Sequence, residues 1–157
     1  MADTIPTPER TASIRRAAAR YCGQCGWAPL SEVTLPSGRR ADILALTPEG
    51  RLLILEVKSC ARDFLSDRKW PEYREFCDAL YFAVDAEFPQ ALLPADVGLV
   101  VATPEDSALL REAPSHPLAP PRRRALTLRY AQLAATRLAA LSDPAGFAQA
   151  RAALSPE

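Results

Sequence analysis

Apolar residues recur at helical spacing from residue 9 to about residue 24. Ile14, Ala17, Ala18 and Tyr21 line one face, and Arg15, Arg16 and Arg20 line another. Gly23 and Gly26, which tolerate the backbone turn beyond a helix end, close it. Three strand-like segments follow: residues 30–35 alternate, 41–46 are mostly apolar, and 51–58 are strongly apolar. Pro36-Ser37-Gly38 and Thr47-Pro48-Glu49-Gly50 are turns short enough to join antiparallel neighbours, so the pattern predicts a three-stranded meander. Residues 63–77 read as one or two helical turns and then a helix with Pro71 in its first turn. Two short apolar strands, 80–84 and 97–102, are separated by Phe88-Pro89 and Leu93-Pro94, a loop with a short helix. Residues 113–121 hold four of the 15 prolines and read as irregular, whereas Leu126, Tyr130, Leu133, Leu138 and Leu141 repeat at helical spacing. The predicted order is helix, three strands, helix, strand, strand, helix. It describes one α/β domain over residues 9–143, a mixed central sheet flanked by helices, between a flexible tail at 1–8 and a C-terminal tail at 144–157.

Composition narrows the classes. A chain of 157 residues, 48% hydrophobic and 24% charged, supports one domain with a true core rather than a disordered chain. No run of about 18 apolar residues is present, so no membrane span is expected. Residues 1–11 lack the apolar stretch of a signal peptide, and the expected location is cytoplasmic. Basic and acidic residues balance at 19 each, so total charge neither requires nor excludes nucleic acid, and local clusters decide. Cys22 and Cys25 form a C-x-x-C without the second pair or the two histidines of a zinc site; His116 lies in the proline-rich stretch. The motif follows a helix rather than a strand, so a redox site is not indicated and the cysteines read as structural or incidental.

The chemistry concentrates on the third strand, Leu53-Ile54-Leu55-Glu56-Val57-Lys58. Strand side chains alternate, so Glu56 and Lys58 share a face. Charged groups at the end of such a strand are costly if buried without partners. Paired as a hairpin with Arg40-Ala41-Asp42-Ile43-Leu44, the strand brings Asp42 beside Glu56. Adjacent carboxylates repel unless a proton or a cation lies between them, and Mg²⁺ suits hard oxygen ligands.

Asp42, a gap of thirteen residues, then Glu56-Val57-Lys58 resembles the D-x(n)-E-x-K motif of the PD-(D/E)XK nuclease superfamily, with Ala41 in place of its proline. The order helix, meander, helix, strand is similar to that superfamily's core. Further stretches are similar to the MmcB family of bacterial DNA-repair-related proteins. These are Glu56 to Ser59, Asp63-Phe64, Asp67 to Tyr73, Phe76-Cys77-Asp78, Tyr81 to Val84, Arg111 to Pro114, Arg122-Arg123 and Ala125 to Arg129; the similarity spans roughly residues 10–142. The resemblance implies a metal-dependent DNA nuclease in repair, using Mg²⁺ or Mn²⁺. Asp42, Glu56 and the Val57 carbonyl would be the metal ligands. Lys58 would orient or help deprotonate the attacking water and stabilise charge on the phosphate. The alternatives are an exposed, nearly neutral ion-pair cluster, a degenerate DNA-binding or scaffold protein that keeps the fold, and an RNA-directed or toxin-like nuclease.

Candidate DNA contacts are Lys69 for a phosphate and Trp70 or Tyr73 for base stacking. The competing reading makes Asp67 a helix cap and Trp70 and Tyr73 a core face. Glu32 is either a further acid near the metal or a solvated strand position. Basic clusters at Arg15, Arg16 and Arg20, at Arg39 and Arg40, and at Arg122, Arg123 and Arg124 are candidate phosphate patches, with Arg39 and Arg40 best placed beside Asp42.

Overall fold

The computed structural model describes residues 7–154. Helix α1 (Thr7–Gln24) precedes strands β1 (Ala28–Thr34), β2 (Arg40–Leu46) and β3 (Leu52–Val57). Then come α2 (Ala61–Ser66), a 3₁₀ helix (Trp70–Phe76), β4 (Ala79–Val84), a short 3₁₀ turn (Gln90–Leu92), β5 (Gly98–Ala102) and β6 (Ser107–Arg111). Helices α3 (Pro120–Ser142) and α4 (Pro144–Leu154) complete the described chain. The strands form one six-stranded sheet in the order β1-β2-β3-β4-β5-β6. β1, β2 and β3 are the antiparallel meander, β4 and β5 run parallel to β3, and β6 pairs antiparallel with β5. This is the mixed α/β sheet flanked by helices that the sequence predicts. Gly38 and Gly50, at φ +85° and +83°, supply the left-handed positions of the two meander turns.

The sheet is buried on both faces. α1 lays Ile14, Ala17, Ala18 and Cys22 against Ile43, Leu53, Leu55 and Tyr81. On the other face, Tyr73 and Phe76 of the 3₁₀ helix and Leu126 of α3 pack with Leu44, Ile54, Leu80 and Phe82. Every residue of β3 and β4 is buried, Glu56 included, in keeping with their otherwise apolar runs. Asp78, 1% exposed, ties three segments together. It accepts the amides of Leu52 and Leu118 and both arms of the Arg123 guanidinium, at 2.5 and 2.6 Å. Helix α3 also covers the edge strand β1. Tyr130 donates to the Ala28 carbonyl, Arg129 to that of Thr34, and Arg137 to those of Ser31 and Glu32. Edge carbonyls thus find donors instead of another strand.

The structure differs from the sequence reading at several places. The division of 63–77 into a short helical piece and a second helix led by Pro71 is as expected, but the first piece starts at Ala61 and the second is a 3₁₀ helix. Asp67 takes an extended backbone and captures the Lys69 amide, and Pro71 brings no amide to an α-helical ladder. Strand β6 has no strand signal in the sequence because Leu109 and Leu110 are adjacent and both exposed, which erases alternation. Helix α3 starts at Pro120 rather than near Leu126, since prolines fit a first turn whose amides need no helical partner. Residues 144–154, read as a tail, are helical. Of the N-terminal tail, residues 1–6 lie outside the described residues, and Thr7 and Pro8 open α1. Among the described residues no helix is long and apolar enough to cross a membrane.

Candidate functional site

The β2–β3 register sets Ile43 opposite Leu55 and Leu44 opposite Ile54, which makes Asp42 and Glu56 the next pair outward. There side chains replace the main-chain ladder. The Asp42 amide donates to Glu56 Oε1 at 3.0 Å, and the Val57 amide donates to Asp42 Oδ2 at 2.8 Å. The Lys58 amide donates to the Ala83 carbonyl of β4 at 3.0 Å. Among the described residues no peptide is cis, so the Val57 carbonyl in that same peptide plane points the opposite way, towards β2 and Asp42. The two carboxylates therefore meet where β2 and β3 part, with the Val57 carbonyl facing the same side of β3.

Burial dominates the electrostatics. Glu56 is 4% exposed, and its carboxyl lies well above the ordinary carboxylate range through desolvation and then the charge of Asp42. Asp42 is raised in the same direction by burial, partly offset by the Val57 amide, Glu56, Lys58 and Arg15. Lys58, 5% exposed, lies near enough to favour both carboxylates, but its Nζ donates to Asp67 Oδ2 at 2.7 Å. Burial pushes the Asp67 carboxyl up, yet its bonds to Lys58 and the Lys69 amide outweigh that and lower it. The buried Tyr73 donates its hydroxyl to the Arg40 carbonyl at 2.9 Å; desolvation and the Glu56 charge push it up to about 12.

The other sequence candidates separate into two groups. Tyr73 is core, and Trp70 is half-buried, its ring 5.2 Å from Phe82 and 6.4 Å from Phe64 with the Arg74 guanidinium over it. Arg39 lies over the Tyr73 ring and pairs with Glu72 at 2.8 Å. Arg122 lies over Phe76 and donates to the Glu75 carbonyl. Arg123, expected at a phosphate, is instead bonded to buried Asp78, because a desolvated carboxylate demands a cation. Arg40 has a 64% exposed side chain and only a loose 3.8 Å pairing with Glu32, which Arg15 also contacts at 3.2 Å. Lys69 is exposed and makes no ion pair among the described residues. Cys22 is buried and Cys25 exposed, and all four cysteines are free thiols. His116 is a loop residue whose amide donates to the Asp78 carbonyl.

Asp67 as the partner of Lys58 was legible only as a helix cap, and nothing in the sequence singles out Arg137. Among the described residues no three His, Cys, Asp or Glu side chains converge to hold an ion. Asp42, Glu56 and the Val57 carbonyl still fit a hard cation such as Mg²⁺, which takes one or two carboxylates and fills its shell with water and substrate oxygens.

A family profile described as DNA repair protein MmcB-like matches residues 2–145. A solved structure, that of a protein of unknown function from Silicibacter pomeroyi, is 42% identical with a TM-score of 0.81, over 92% of this chain and 96% of that one. No curated protein matches.

Proposed function

The chain belongs to the DNA repair protein MmcB-like family, and from that premise we propose that its site hydrolyses phosphodiester bonds of DNA with the help of Mg²⁺ or Mn²⁺. The observation that carries this reading is the opposed pair of buried Glu56 and half-buried Asp42. Two carboxylates held together out of water cost free energy as anions, and a divalent cation removes the cost. Asp42, Glu56 and the Val57 carbonyl would hold it, on a core of PD-(D/E)XK type with which the helix, meander, crossover and parallel β4 are compatible.

When bound, the cation supplies an activated water and neutralises charge on the phosphate. The protein's own groups do the rest. Asp42 and Glu56 are fixed by the Val57 and Asp42 amides, so their oxygens need little reorganisation. Lys58, on the same face as Glu56, would orient the attacking water and stabilise charge on the phosphate as its phosphorus becomes pentacoordinate; to do so its amine leaves or shares Asp67. Arg40 and Lys69, both exposed, are the cations best placed to engage the DNA backbone.

The test is a cleavage assay on single-stranded, nicked, flapped and duplex DNA with Mg²⁺ or Mn²⁺, run beside a cation-dependent melting shift. Cleavage and shift are both expected in the wild type, and both should vanish in Asp42→Ala. A protein that binds DNA but neither cleaves it nor responds to cation would instead be a scaffold retaining the fold. Cleavage of RNA in preference to DNA would redirect the substrate assignment.

A further inference from the structure

Glu32 is a non-glycine residue at φ +53°, in the left-handed region, in the middle of β1. Such a backbone persists only where its surroundings hold it. The β1–β2 ladder pairs Ser31 with Ile43 and Val33 with Ala41, skipping Glu32 and Asp42 between them without a change of register. The pleat slips at this level on both strands. Regular alternation places Ala41 on one face with Ile43 and Ala45. Instead Ala41 packs with Leu44 in one core face, while Ile43 and Ala45 pack in the other. On β1, Leu30 and Val33, three apart, pack on the same face.

Arg137 of α3 reaches this point. One guanidinium nitrogen donates to the Ser31 carbonyl and the other to the Glu32 carbonyl, the latter at 2.8 Å. The Glu32 carbonyl is therefore turned away from the main-chain bond it would make to Asp42 in a regular antiparallel pair. The Asp42 amide takes Glu56 Oε1 instead.

We propose that Arg137 is a positioning residue for the Asp42–Glu56 pair, acting through the left-handed backbone of Glu32. By clamping two successive carbonyls it holds the slip in β1, and the slip turns Asp42 towards β3. Cation binding at the pair rests on the function proposed above; the geometry of the Asp42 amide does not, and the two are read separately.

The experiment compares backbone amide spectra of the full chain for wild type, Arg137→Gln and Glu32→Val, first without cation and then through an Mg²⁺ titration. Glu32→Val leaves Arg137 in place but puts a β-branched residue where φ is positive, which disfavours the same backbone. Both variants are expected to move the Asp42 and Val57 amides well beyond those of β4 and β5. Both should weaken Mg²⁺ binding by about tenfold or more, as for other groups that orient metal ligands. Glu32→Gly added to Arg137→Gln should recover part of each loss, because glycine adopts positive φ unaided. Unmoved Asp42 and Val57 amides in both single variants would overturn the proposal. Should Arg137→Gln not fold, Glu32→Val decides alone. A wild type blind to Mg²⁺ would sink the metal reading while the amide shifts still judge Arg137.

Discussion

The Asp42–Glu56 pair sets stability against the proposed function at single residues. Glu56 has a folded carboxyl raised above its ordinary value, chiefly by burial and then by Asp42. Its contribution to stability is therefore fully present below the unfolded value near pH 4 and is lost as pH rises through the folded value. Without a cation, Glu56→Gln should melt higher than wild type at neutral pH, by about 2–4 °C or more, the shift that accompanies about 1 kcal/mol in a domain of this size. The gap should close below pH 4. Melting curves in chelator across that range measure it, and a variant that melts lower at pH 7 would show that the charged pair stabilises the fold. Trp70 raises a second question of the same kind. It packs on Phe82 and Phe64 but is only half-buried. Trp70→Ala should cost about 2–3 kcal/mol, less than the about 3–5 kcal/mol of a fully buried aromatic. Single-strand DNA affinity should be unchanged once unfolding is corrected for; a stable variant with weakened affinity would identify a stacking residue instead. Strand parity and one hairpin register were enough to bring Asp42, Glu56 and Lys58 into view from the sequence. The Asp67 partner of Lys58 and the Arg137 clamp were not legible, because both contacts join elements whose relative placement no local pattern encodes.

At the level of elements, the meander and the buried parallel strands were legible because turn chemistry and unbroken apolar runs are local signals. The edge strand β6 and the 3₁₀ form of Trp70–Phe76 were not, since partial exposure decides the first and the second turns on a missing α-helical ladder rather than on apolar spacing. The placement of α3 depends strongly on Asp78. Burial alone would raise its carboxyl, but Arg123 and the amides of Leu118 and Leu52 outweigh burial and lower it. The sign is opposite to that of Glu56. Stability from Asp78 is present above the unfolded value near pH 4 and is lost as pH falls through the folded one. Asp78→Ala should cost up to about 3–5 kcal/mol at pH 7, the range for breaking a buried pair, reduced by the partial exposure of Arg123. Urea unfolding at pH 7 and near pH 3 should show the difference from wild type shrinking in acid. An equal cost at both pH values would assign the effect to packing rather than to charge.

For the whole molecule, the 19 basic and 19 acidic residues balance, and part of the charge is neutralised locally. Arg10, Arg15, Arg39, Arg74, Arg122 and Arg123 all face carboxylates. On the proposed function, DNA would meet exposed cations beside the carboxylate pair, among them Arg40, only loosely paired with Glu32, and Lys69. Each phosphate neutralised releases condensed counterions, so log K for duplex DNA falls with log salt at about 0.9 per contact. Arg40→Gln with Lys69→Gln should flatten that slope by about 1.8 and weaken binding to all sequences alike, because phosphate contacts carry no base information. Arg123→Gln should leave the slope within error while lowering stability, since its charge already belongs to Asp78. Arg39→Gln should behave in the same way, its partners being Glu72 and the Tyr73 ring. Fluorescence anisotropy of a labelled duplex across a salt series, with melting temperature recorded on each variant, separates the cases. If Arg123→Gln flattens the slope and the Arg40, Lys69 double variant does not, the DNA path runs over the start of α3 and not over the mouth of the carboxylate pair.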